Sequence, residues 1–86
     1  MPEVSRFFGI VVRMFHREHA PAHFHAEYGS DEVLVNIDTL EVYRGELPPK
    51  ELAMILRWAA VHHDELRANW RRARREVPLH RIAPLD

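Results

Sequence analysis

His23-Phe24-His25-Ala26-Glu27-Tyr28-Gly29-Ser30-Asp31-Glu32-Val33-Leu34-Val35-Asn36-Ile37-Asp38 is the stretch whose reading decides the fold. Residues 23–28 alternate with period two: Phe24, Ala26 and Tyr28 face one way, and His23, His25 and Glu27 the other. Gly29-Ser30-Asp31 punctuates the chain as a turn. From Glu32 to Asp38 the alternation resumes with Val33, Val35 and Ile37 inward, which predicts an antiparallel neighbour. Working outward, Leu40-Glu41-Val42-Tyr43-Arg44 repeats the pattern after the short Asp38-Thr39 connection, and Gly45 closes it. On the other side, Phe7-Phe8-Gly9-Ile10-Val11-Val12-Arg13-Met14-Phe15 is rich in β-branched and aromatic residues. It is apolar on both faces and reads as one central strand.

The period changes at Pro48-Pro49, where proline suits the first turn of a helix. Leu52, Ile55, Leu56, Ala59, Leu66, Trp70 and Ala73 recur at three- and four-residue steps, with no glycine or proline before Pro78. The simplest reading is one helix from about Pro49 to Glu76, about 40 Å long at 1.5 Å per residue. That exceeds a small sheet, so a pair broken near His62-His63-Asp64, with Asp64 as the second N-cap, is the alternative. Residues 77–86 carry spaced apolar side chains and read as an extended tail. The expected fold is α+β in one domain over 1–86: four mainly antiparallel strands within about 7–44, the long helix or broken pair over 49–76, and the tail.

A chain of 86 residues hides only about 60 to 65% of the surface its unfolded form exposes. Its core is thin, and oligomerisation or a metal would supplement it. The absence of cysteine excludes disulfides and thiolate ligands, so any metal must be held by imidazole and oxygen. With 47% hydrophobic and 29% charged residues the composition is that of a folded protein rather than a disordered one. No apolar run is long enough to span a bilayer, and Met1-Pro2-Glu3-Val4-Ser5-Arg6 lacks the basic and apolar regions of a leader, so a cytoplasmic location away from membranes is expected. A net charge of -1 gives no global attraction to nucleic acid, but seven of the eleven arginines lie from Arg57 onward.

Chemistry is concentrated in His16-Arg17-Glu18-His19-Ala20-Pro21-Ala22-His23-Phe24-His25, which holds four of the seven histidines. His23 and His25, at i and i+2 on a strand, emerge on one face with Cα atoms about 6.5 to 7 Å apart and can converge on one ion. Pro21 turns the chain so that His19 is a third candidate ligand; Glu27 continues the same face, and His16 is a bystander. Such a set suits zinc or iron. A reading without metal makes His19, His23 and His25 the acid and base, and Arg6, Arg13 or Arg17 the phosphate clamp, of an RNA-cleaving site. Against both stands the plain alternative of solvated histidines on a polar strand face.

Projected on a continuous helix, His62 falls inside the apolar stripe, either as a hydrogen-bonded core histidine or as the helix's addition to the strand site. The second role requires the helix to cover the histidine-bearing face, and the sequence leaves the covered face open. Arg67, Arg71, Arg74 and Arg75 are candidates for phosphate or nucleic acid, although cations in the last turns of a helix also complement its dipole.

These features extend over nearly the whole chain: Pro2-Glu3-Val4-Ser5-Arg6-Phe7-Phe8-Gly9-Ile10, His19-Ala20-Pro21-Ala22-His23-Phe24-His25, Tyr28-Gly29, Gly45-Glu46-Leu47-Pro48, Trp58, His62, Glu65-Leu66, Asn69-Trp70 and Ile82-Ala83-Pro84-Leu85. In them the chain resembles a family of small bacterial proteins known as domain of unknown function DUF 4160. The family's histidine block usually carries a second proline where this chain has Ala22, which loosens the turn and leaves all three histidines in place. The resemblance implies a genetic setting rather than a chemistry: one half of a toxin-antitoxin-like two-gene module, with a small protein encoded by the neighbouring gene as partner and RNA as a further one. A homo-oligomer with a histidine-lined, pH-dependent interface is the other expectation.

Overall fold

In the computed structural model, which describes residues 2–86, the chain forms β1 (Glu3–Phe7), β2 (Ile10–Arg13), β3 (His23–Tyr28), β4 (Asp31–Asn36), β5 (Val42–Gly45), α1 (Pro49–Val61) and α2 (His63–Arg74). The strands pair in sequence order as an antiparallel meander. The α+β class and the antiparallel sheet agree with the sequence; the number of strands does not.

The run Phe7–Phe15 is not one strand. Phe8 and Gly9, with φ of +48° and +81°, make a two-residue turn that pairs Phe7 with Ile10, so β1 and β2 form a hairpin. Positive φ at both central residues matches the twist of a tight hairpin, but an aromatic residue in the first of them is an uncommon signal. The unbroken apolar character of this run hid the turn. The connection between β4 and β5 is also longer than Asp38-Thr39. Asn36 accepts hydrogen bonds from the Asp38 and Thr39 amides at 2.8 and 3.0 Å, and the strand resumes only at Val42.

The helical region is the broken pair. At His62 the backbone leaves helical geometry, with φ -106° and ψ 29°, and Asp64 lies in the first turn of α2 rather than at its cap. The buried positions are Glu51, Ile55, Trp58 and Ala59 in α1 and Leu66, Asn69 and Ala73 in α2. At 100° per residue these positions share one stripe about 100° wide, so the buried face continues across the break.

Both helices contribute to a core over one face of the sheet, where Val12, Phe24, Ala26, Val33 and Val35 are fully buried. Trp58, also fully buried, lies against Phe7 and Phe24 with ring centroids 5.5 and 5.9 Å away. The covered face is therefore the one that bears Phe24. The tail packs back in extended form: the Trp58 indole N–H donates to the Ala83 carbonyl at 2.8 Å, and the Ile82 amide donates to Val4 at the outer edge of β1. Asn69 anchors the same segment, donating to the His80 carbonyl and accepting from the His80 amide.

Gly45 and Gly29 both have positive φ but differ in surroundings. A Cβ at Gly45 would collide with the Glu32 carbonyl oxygen on the neighbouring strand, whereas one at Gly29 would meet nothing within 4 Å. Gly29→Ala should cost about 1 kcal/mol from backbone conformation alone, and Gly45→Ala about 3 kcal/mol because the β4–β5 pairing must also shift. Urea unfolding of both variants against the parent checks the difference, and equal losses would refute it.

Candidate metal centre

The alternation of β3 that buries Phe24 and Ala26 sends His23 and His25 to the opposite side of the strand. His23 is nevertheless 96% buried, with only 4% of its side chain exposed, and His25 retains 12%. Their rings lie 5.2 Å apart between aromatic neighbours: Phe15 edge-on to His25 at 4.8 Å, Tyr43 edge-on to His23 at 5.6 Å, and Trp70 of α2 against His23 at 5.4 Å. Buried imidazoles in such walls need polar partners.

Those partners come chiefly from the loop between β2 and β3. A single oxygen of Glu18, Oε1, lies 3.1 Å from His23 Nε2 and 2.7 Å from His25 Nε2. The loop is held in turn by the far end of the chain, where His16 Nε2 donates to the Val77 carbonyl at 3.0 Å and Arg17 pairs with Glu76 at 2.9 Å. The Arg17 guanidinium holds the Glu76 carboxyl below its ordinary range, and the carboxylate raises Arg17 in return.

The remaining imidazole nitrogens have partners of their own. His23 Nδ1–H donates to the Pro21 carbonyl at 2.8 Å, and His25 Nδ1 lies 3.0 Å from Glu32 Oε2. The Pro21 carbonyl can only accept, which commits His23 to hydrogen on Nδ1, whereas His25 lies between two carboxylates, Glu32 at Nδ1 and Glu18 at Nε2. With hydrogen on Nδ1 of both rings, each Nε2 presents a lone pair to the same Glu18 oxygen. One metal ion among them would engage all three groups at once. The three ligand atoms lie within 4.8 Å of one another. Tetrahedral zinc with bonds of about 2.0 to 2.2 Å would separate its ligand atoms by about 3.4 Å, so Glu18 Oε1, at 3.1 and 2.7 Å from the two nitrogens, stands closer to them than a shared ion would place it. The Nδ1 contacts to a backbone carbonyl and a carboxylate are the kind that orient metal-ligating histidines.

Glu18 and Glu32 lay outside the set drawn from sequence. Glu18 sits in a loop with no periodicity, although it is the only carboxylate in the ten-residue histidine block. Glu32 follows from register: His25 pairs with Leu34, and Glu32 is the diagonal neighbour on the same face. His19 is exposed and stays outside the converging group. Arg13 Nε donates to Glu27 at 3.2 Å, so that carboxylate is engaged beside the centre rather than in it. His62 pairs with Glu65 at the helix junction and lies against Trp58, on the covered side of the sheet. Arg6 pairs with Glu3 at 2.8 Å; hydrogen bonds from Arg6 and then Arg81 lower the Glu3 carboxyl to about 2. Of the α2 arginines, Arg67 pairs with Asp38 at 3.2 Å, Arg74 lies over the Trp70 ring, and Arg75 follows the last helical turn.

A family model described as a domain of unknown function (DUF4160) matches residues 9–71, and the chain belongs to that family. Among curated proteins and among solved structures, none matches it.

Burial, and after it the charge of Glu18, raise the Tyr43 phenol above its ordinary value of 10.0. Because the folded state favours the neutral phenol, its contribution to stability is complete below pH 10 and is lost as pH rises through the higher folded value. In a Tyr28→Phe background, near-ultraviolet absorbance should follow Tyr43 alone, and Glu18→Gln should bring its titration part of the way down. No movement would separate Tyr43 from the Glu18 charge.

Proposed function

We propose that this DUF4160 protein is a small metalloprotein that holds one divalent ion, zinc or iron(II), through His23 Nε2, His25 Nε2 and the Glu18 carboxylate. The observation that carries this reading is the convergence of ligand atoms: two imidazoles, each with a polar partner at Nδ1, direct both Nε2 atoms at one carboxylate oxygen. A two-imidazole, one-carboxylate set leaves coordination positions open to water or a substrate oxygen, as catalytic rather than closed structural centres do. Glu18, 27% exposed, stands at the solvent side of this set, and His23 closes the inner side. The aromatic walls keep water from the inner ligand and limit the orientations that a bound molecule can take. The toxin-antitoxin-like partnership rests on sequence resemblance; the metal reading rests on the convergence of three side chains.

Protein purified without a polyhistidine tag should contain, or take up after chelation, one equivalent of zinc or iron(II) by elemental analysis. At a free metal concentration 100 times the dissociation constant, binding should stabilise the fold by about 2.7 kcal/mol, a rise in Tm of about 10 °C or more for a chain of this size. Glu18→Gln and His25→Ala should each lose the bound metal and the thermal shift, whereas His19→Ala and Glu27→Gln should keep both. Substoichiometric metal together with an unchanged Tm would defeat the proposal.

A further inference from the structure

Next to the candidate metal centre, linked to it through Trp70, whose ring packs on His23, lies a cleft of about 490 Å³. Pro21 and Ala22 line it from the loop that precedes β3, and Arg67, Trp70 and Arg71 line it from α2, with Asp38 also in its wall. The volume is in the range that takes a small organic ligand, and cationic and aromatic groups three and four residues apart on one helix face it together.

The two arginines differ in what they already bind. Arg71 makes no ion pair among the described residues, whereas Arg67 pairs with Asp38 across a surface where both side chains are about half exposed. An exposed pair of that kind contributes little and exchanges readily for a stronger anion. Trp70 supplies an extended apolar surface in the same cleft, and its ring also packs on His23. Guanidinium donors suit phosphate oxygens, and an indole beside them suits a planar base.

We infer that this cleft binds a nucleotide, its phosphate on Arg71 and Arg67 and its base against Trp70, within one side chain of the metal centre. The inference deepens the metal reading by giving that centre a substrate class, and rests on it for the chemistry but not for the binding. His23 joins the two sites physically, since one ring edge faces Glu18 and the ring packs against Trp70. A free nucleotide and a nucleotide unit of single-stranded RNA present the same phosphate and base, and the test separates them.

Binding is read by quenching of Trp70 fluorescence and by the shift of its indole N–H resonance, with the fully buried Trp58 as internal control. AMP should quench saturably, and adenosine and ribose 5-phosphate should each bind about tenfold more weakly, as expected when one of two recognition elements is removed. Arg71→Ala should weaken AMP about tenfold, while Arg75→Ala should leave it unchanged. A single-stranded tetranucleotide of RNA that binds at least tenfold more tightly than AMP identifies the strand as the source, and equal affinity identifies the free nucleotide. Absence of saturable quenching, adenosine binding as tightly as AMP, or an Arg71→Ala variant equal to the parent would overturn the inference. The titrations are repeated with chelator and with Glu18→Gln. AMP binding that survives both while no metal is ever taken up defeats the metal reading alone; stoichiometric metal without AMP binding defeats the nucleotide cleft alone.

Discussion

The burial of Trp58 is the constraint on which the rest of the structure depends. Its indole covers Phe24 of β3 and Phe7 of β1, and its one polar atom is satisfied by the Ala83 carbonyl of the tail. A buried indole N–H without an acceptor would carry a desolvation cost of about 1 to 3 kcal/mol, so the tail is required as much as the helix. Once α1 is seated on the Phe24 side, the two-residue period of β3 leaves His23 and His25 no choice of face. The centre is thus a consequence of the core.

The tail's second effect runs through the loop. Residues 76 and 77 hold His16 and Arg17, and Glu18 follows directly from them in the chain. A carboxylate brought over two imidazoles by contacts from the opposite end of the chain is positioned by the whole fold rather than by its own segment. The loop lacks regular secondary structure of its own, so these contacts take the place of a ladder. Around the centre, aromatic rings reduce access of water, and the Nδ1 partners prevent the imidazoles from turning away.

The antiparallel strands were legible wherever one face is buried and the other polar, as in His23–Tyr28, because burial writes itself into alternate residues. They were illegible in Phe7–Phe15, where apolar side chains occupy both sides of a tight turn and the alternation disappears. In the helices the spacing of apolar residues revealed their presence and a length too great for the sheet. It placed Trp58, His62 and Asn69 on or beside the apolar stripe, but it could not reveal the break at His62, where the backbone leaves helical geometry and the imidazole pairs with Glu65. For the site, His23 and His25 were visible as an i, i+2 pair, whereas Glu18 was visible only as a lone carboxylate among histidines.

By itself the sequence determined what is local: the class of the elements, the shared side of His23 and His25, and, through the lack of cysteine, the oxygen and nitrogen character of any ligand set. Only the tertiary structure decided that the helices cover the Phe24 face, that His62 stands apart, and that Glu18 rather than His19 or Glu27 meets the two imidazoles. The physical reason is range. Side-chain direction along a strand follows from the backbone over two residues, but the approach of Glu18 depends on contacts with residues about sixty positions away, and no local pattern records them.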